Sequence, residues 1–314
     1  MSMPDGASNA VKYPIDVRHL RKCFGRRVAV EDLSLAVAPG EIFGLAGANG
    51  GGKSTALRLL AGLLVPDHGT GQVLGRDLLR GARQVRHQVG YLAQRSTLYP
   101  TLSVRENLRF RAAIFGVPVP ADAAERQIGA FGLGKFAAAA AEELSGGWRR
   151  QVDLAAAVIH CPRVLLLDEP TAGLDPAARQ AIWRRLMTLS AHGTAMVLAT
   201  HDLGEAQRCA YIFLLSHGRV RARGSPRAVA RQVPASALIV SGREAMNFAD
   251  RLDSSGVLAA QPSGEGLRLI VAADARRKVE ALVAAHGCRS RKVNLTLEDA
   301  ALVIAQDARG ARDA

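Results

Sequence analysis

Two stretches near the start of the chain, 15–22 and 28–37, alternate apolar and polar positions. A period of two puts one face of a strand in a core, so both are predicted as antiparallel strands. Pro39-Gly40 then marks a turn. Residues 41–46 are a short apolar run, the next few are rich in glycine, and 54–64 carry helical spacing. The order is strand, loop, helix. Residues 65–70, with Pro, Asp and Gly, read as a turn, and 89–93 as another strand.

The pattern changes from about residue 95. Ser103 and Glu106 have the spacing of a capping box, in which serine and glutamate satisfy free N–H groups at a helix start. The alanine-rich stretch running to Glu143 is predicted as helix too, so 95–150 reads as a helical insertion. Strand and helix signals then alternate over 164–167, 176–191, 195–200, 203–209 and 212–215. That alternation predicts a parallel sheet covered on both faces. Gly224-Ser225-Pro226 is a break. Beyond it come a strand (236–241), a helix (244–252), strands (257–261, 267–272), a helix (274–286), a strand (290–294) and a helix (297–306). The organisation is an α/β domain over 13–225 followed by a small α+β accessory domain over 226–314.

Composition narrows the class. Of 314 residues, 48% are hydrophobic, enough for a sizeable core and against wholesale disorder. No apolar run approaches the roughly 20 residues of a membrane span. Residues 1–14 lack the apolar centre of a signal peptide. A soluble chain that stays where it is made is expected. Cys23, Cys161, Cys209 and Cys288 are scattered without a C-x-x-C pair, which points to reduced thiols rather than disulfides or zinc. The net charge is +13; residues 226–314 hold 13 basic and 10 acidic side chains, a net +3, which leaves +10 for the rest. Arginines cluster at Arg76, Arg80, Arg83 and Arg86, and at Arg95, Arg105, Arg109 and Arg111. Such a surface suits nucleic acid, nucleotide or an anionic membrane face, and equally suits plain solvation; charge alone does not choose.

The chemistry is carried by short motifs. Gly47-Ala48-Asn49-Gly50-Gly51-Gly52-Lys53-Ser54 fits G-x-x-x-x-G-K-[ST], between a predicted strand and helix. Glycines let backbone N–H groups converge on a phosphate, and the following helix points its positive end at the same anion. Lys53 supplies a mobile cation for terminal phosphates. Ser54 offers a hydroxyl to Mg²⁺, which favours oxygen ligands. A buried-type strand, 163–167, ends in Asp168 and Glu169. In proteins with a phosphate loop such a strand end lies beside it, where Asp168 can hold Mg²⁺ through water and Glu169 can act as general base on the attacking water.

With Leu144-Ser145-Gly146-Gly147 the sequence resembles the ATP-binding cassette (ABC) ATPases, whose signature is written L-S-G-G-Q. Trp148 stands where glutamine is usual. The resemblance covers roughly 13–224 and implies a RecA-like fold of the P-loop hydrolases with a helical insertion. It implies ATP and Mg²⁺ as cofactors, with the phosphate loop extending to Thr55. It also implies roles for further residues: Phe24 stacks on adenine; Gln94 contacts Mg²⁺ and senses the transporter; Asp175 sits at the dimer seam; His201 reaches the γ-phosphate. Ser145, Gly146 and Gly147 would cap a phosphate held by a second cassette, so each site is shared by two chains.

Within the family the cassette looks most like the bacterial drug-resistance type of exporter, on residues 40–45, 98–108 and 294–300. The expected partners are a second cassette and separately encoded integral membrane permease subunits, on the cytoplasmic face of the inner membrane, with no stable nucleic acid. An importer cassette, or a non-transport ATPase acting on the ribosome or nucleic acid, are the alternatives.

Overall fold

The structure, a computed structural model, describes residues 12–242, 256–264 and 266–313. The helix predicted over 244–252 lies outside the described residues, as do residues 1–11. The described chain forms two compact units. The first comprises residues up to Leu45, Asn49–His201 and His217–Arg219; the second comprises Ala46–Ala48, Asp202–Ser216 and the described residues from Val220.

In the first unit the alternating stretches form β1 (Ile15–Phe24) and β2 (Arg27–Val37), paired antiparallel from Ile15↔Val37 to Phe24↔Arg27. The apolar run is β3 (Ile42–Ala46), every residue buried, and it leads through the glycine loop into α1 (Lys53–Leu60). The helix stops short of the predicted residue 64. Gly62 turns left-handed (φ 66°), and the N–H groups of Leu63 and Leu64 fold back onto the Arg58 carbonyl.

The segment read as a turn becomes β4 (His68–Val73), antiparallel to β1, followed by β5 (Arg76–Asp77) and α2 (Ala82–Gln88). Two glycines hid β4 in the sequence. Gly71 is required by packing: a Cβ there would lie 2.6 Å from Val17 Cγ1. β6 (Val89–Leu92) follows, and then the helical insertion.

The insertion begins with α3 (Val104–Ile114), whose capping box forms as predicted: Ser103 Oγ accepts from the Glu106 N–H, and Glu106 Oε2 accepts from the Ser103 N–H at 2.8 Å. α4 (Pro120–Phe131) ends at Gly132 in the left-handed region. Beyond it the alanine-rich stretch is not a helix. Residues 134–143 hold only two short 3₁₀ turns, because the carbonyls of Ala137 and Ala139 accept from Arg105 and Val104, and the Ala141 N–H donates to Leu102. Tertiary pairing with the start of α3 overrides alanine's preference.

The unit continues with α5 (Gly146–Ala157), β7 (Val164–Asp168), α6 (Pro176–Ala191) and β8 (Ala195–Thr200). β3, β8, β7 and β6 are successive neighbours in the sheet, with β6–β7 and β7–β8 parallel as predicted. α1 packs on β7 and β8, and α5 on β6. After α5, His160 stacks on Phe115 with ring centroids 3.9 Å apart. Burial drives its pKa down to about 4. A base whose folded pKa is depressed loses stability as pH falls, here from the ordinary 6.5 toward 4. Lowering the pH from 7.5 to 5 should therefore cost wild type about 2 kcal/mol more than His160→Gln. Urea unfolding at the two pH values measures the difference, and equal losses would refute it.

The second unit holds α7 (Leu203–Ala206), β9 (Tyr211–Ser216), its neighbour β10 (Arg219–Gly224) from Val220 on, and α8 (Pro226–Ala230), capped by Ser225. Its antiparallel sheet has the order β12 (Val257–Ser263), β13 (Gly266–Ala272), β11 (Ala235–Ser241), β14 (Arg289–Val293). Period-two patterning buries both faces. Leu238, Val240, Leu267, Leu269 and Val271 meet Val279 and Val283 of α9 (Arg276–Ala285). Ala237 and Ile270 meet Ala300 and Val303 of α10 (Leu297–Asp313). Buried Asp299 pairs with Arg268 of β13 and accepts from the Thr296 N–H at 2.7 Å, so residues 294–300 anchor α10 to the sheet.

Candidate functional site

The phosphate loop starts with Gly47 and Ala48 after β3 and closes on Gly52, the residue before α1. Gly52 has φ 102°, and a Cβ there would lie 2.2 Å from the Ala29 carbonyl oxygen. No other residue fits. α1 has no side-chain cap and no acid in its first turn, so its leading N–H groups face the loop. Lys53 is 5% exposed, with Nζ 3.9 Å from Glu169 Oε1. Burial lowers the Lys53 pKa, and the charges of Glu169 and Asp168 push back.

The carboxylates come from β7, an apolar strand that ends abruptly in charge. Asp168 is 2% exposed and accepts from Ser54 Oγ at 2.9 Å. Burial raises its pKa; the Ser54 hydrogen bond opposes, while the Glu169 charge adds to the rise. Glu169 is 5% exposed and lies in the left-handed region at φ 49°, a strain of about 1 kcal/mol or more for a non-glycine residue. Two backbone bonds hold it there: its N–H donates to the Ala199 carbonyl, and its carbonyl accepts from Arg150 Nη2, each at 2.9 Å. Half-exposed His201 places Nδ1 2.7 Å from Glu169 Oε2.

Lys53 and Glu169 face one cavity of about 480 Å³, lined among others by Phe24, Asn49, Gly50 and Gln94, with Gly52, Ser54 and Thr55 completing its loop side. Asp168 and His201 do not line it and reach it through Ser54 and Glu169. Gly51 is turned away and buried, its carbonyl accepting from the Gly218 N–H. Phe24 exposes half its surface beside the loop, an apolar plate against which a flat base can stack. Ser54, Asp168 and Gln94 offer hydroxyl, carboxylate and amide oxygens, a donor set that fits a hard divalent cation.

Ser145, Gly147 and Asp175 lie elsewhere. They line a second cavity of about 630 Å³, with Trp148, Arg184 and Arg185. The two cavities share no lining residue. Ser145 precedes α5 without capping it, so the helix start beside exposed Gly146 stays open to an anion. Asp175 caps α6, accepting from the N–H groups of Ala177 and Ala178 at 2.9 and 3.0 Å. Trp148 packs on Phe136, with Lys135 Nζ over both rings.

Arg149 and Arg150 are functional contacts that the motif reading does not include. Arg149 donates to the carbonyls of Ala141, Glu142 and Leu144. Arg150 is only 8% exposed and donates to Asp168, Glu169 and Pro170 at 2.9 Å and to Ala93 at 2.6 Å. The available signal was spacing. Arg150 lies four residues before Leu154 and seven before Ala157, on the buried face of α5, where a guanidinium must find acceptors inside the protein.

A parallel sheet with a phosphate loop, a paired carboxylate and a separate signature helix defines a nucleotide-hydrolysing cassette. Comparison with known proteins agrees. The family described as ABC transporter matches residues 30–172. The Nod factor export ATP-binding protein I of Paraburkholderia xenovorans LB400 is 39% identical over 76% of this chain and 80% of its own length. The probable multidrug ABC transporter ATP-binding protein YbhF of Escherichia coli K12 is also 39% identical, over 68% of this chain, which spans only 37% of YbhF. A solved ATP-binding subunit of an ABC transporter superposes with a TM-score of 0.63 at 31% identity, over 69% of this chain and 92% of that one. The chain belongs to the ABC transporter family, as an ATP-binding cassette with the ABC ATPase fold.

Proposed function

We propose that the chain hydrolyses ATP as one of two paired cassettes and so powers export of a solute through separate membrane subunits. The observation that carries this reading is the division of the site into two cavities with no lining residue in common. One has the phosphate loop and Glu169; the other has an open helix start suited to a phosphate but no lysine loop. A second copy, or a related cassette, would supply the missing half of each.

In this reading Gly47–Thr55 wraps the phosphates, Phe24 stacks on the base, and Lys53 neutralises the terminal phosphates. Ser54, Asp168 and Gln94 hold Mg²⁺, which supplies charge neutralisation when bound. Glu169 takes a proton from the attacking water as its oxygen bonds to the γ-phosphorus. The bond to the bridging oxygen breaks, ADP leaves, and the proton passes on to phosphate. His201 orients Glu169 and the γ-phosphate. Ser145, Gly146, Gly147 and Asp175 serve the partner's ATP.

The cassette is assigned to 13–225 and an accessory domain to 226–314. Among the described residues no helix is long and apolar enough to cross a membrane. In this reading separately encoded permease subunits supply the membrane path, and the cassette works on the cytoplasmic face of the inner membrane. Export is supported by the names of the relatives, one a multidrug and one a Nod factor export protein. Names so different on similar cassettes support a reading in which the permease chooses the substrate. Affinity purification of the tagged chain from detergent-solubilised membranes tests the reading. An integral membrane protein should co-purify in constant ratio. Recovery with ribosomes or nucleic acid, and no such protein, would overturn it.

A further inference from the structure

The second unit carries a cavity that the ATPase reading does not use. It encloses about 610 Å³ between α8, the start of β11 and the end of the edge strand β14. That size falls within the roughly 300–1,000 Å³ of pockets that take organic ligands. Arg227, Arg231 and Lys292 line it, with no acidic residue among the lining. Its apolar walls are Val233, Ala235, Ala237, Val293 and Leu295, and Ser236 and Asn294 add polar edges.

The charge arrangement is unfavourable without a ligand. Arg227 and Arg231 are four residues apart on and just beyond α8, so their side chains share one face and repel. Lys292 adds a third positive charge from β14. The acids near by are engaged elsewhere: Asp299 pairs with Arg268, and Glu298 accepts from Gln207. Among the described residues no carboxylate pairs with Arg227, Arg231 or Lys292. Three cations around an apolar, concave floor are complementary to one chemistry, a negative group on an apolar body.

We infer that this cavity binds a soluble organic anion, one acidic group carried on an apolar or aromatic body. Inorganic phosphate would leave most of the volume and the apolar floor unused. A lipid surface calls for cations on a convex or flat face, whereas these line a hollow.

The test uses the full chain and naphthalene-2-sulfonate, a fluorescent ring with a permanent negative charge. 2-Naphthol, the uncharged analogue at pH 7, inorganic phosphate and phosphatidylglycerol vesicles are the comparison arms. Naphthalene-2-sulfonate should bind saturably, and more tightly than 2-naphthol or phosphate. Arg227→Gln with Lys292→Gln should weaken it roughly three- to tenfold per cation removed. ATP binding, unaffected in the same variant, shows that the protein is folded. Equal binding of 2-naphthol, an unchanged affinity in the variant, or binding only to the vesicles would each overturn the inference. The outcome is independent of ATP hydrolysis, so either reading can fail alone.

Discussion

Glu169→Gln should stop turnover while leaving ATP bound. The side chain keeps its length and its place beside Lys53 and His201, 3.9 and 2.7 Å from its oxygens, but the amide cannot accept a proton from water. Losing a general base costs about 10²- to 10⁴-fold in rate. The phosphate loop, Phe24 and the cation ligands are untouched, so affinity for ATP should hold. With hydrolysis blocked, the ATP proposed to join two half-sites should stay in place. Light scattering should then show a mass near twice that of the monomer with ATP and Mg²⁺, and a monomer without them. Near-normal steady-state ATPase activity would remove Glu169 from its assigned role. Lost activity with no ATP-dependent dimer would keep the role and remove the shared site.

Arg150→Ala should cost about 3 kcal/mol or more of folding stability. The guanidinium donates to four carbonyls, those of Ala93, Asp168, Glu169 and Pro170, and alanine leaves them without that donor in a largely buried place. Lysine, a point charge without the planar fork, should recover only part of the loss. The kinetic effect separates a positioning role from a merely structural one. Arg150 holds the Glu169 carbonyl and so its left-handed backbone. In the lysine variant kcat should fall while the KM for ATP changes little. Urea unfolding and initial-rate kinetics measure both. Parallel changes in kcat and KM, or no loss of stability, would refute the assignment.

Most of the phosphate site was legible because its chemistry is written in contiguous residues. Gly47–Thr55 and Asp168-Glu169 need only a loop and a strand end, and the strand in each case is an unbroken apolar run. What brings these segments together was legible only in part. Arg150 acts across 18 to 57 residues of chain, and its meaning depends on which way α5 faces. The alanine-rich stretch before the signature misled for a related reason. Its local preference is helical, yet its carbonyls are already taken by the start of α3. β4 was hidden because its glycines, poor strand formers alone, are what let it lie against Val17. In the tail, the sequence showed a likeness over 294–300, and the structure supplies its physical content, the buried pair of Asp299 with Arg268.

The helix that begins at the signature is the same helix that grips the ends of the carboxylate strand and of β6, one turn further on. A shift of α5 cannot move one without pulling on the other. In the proposed pair, what a chain presents to its neighbour and how it holds its own Glu169 are thus set by a single lever. In that pair, loosening the lever should uncouple the timing of the two hydrolysis events.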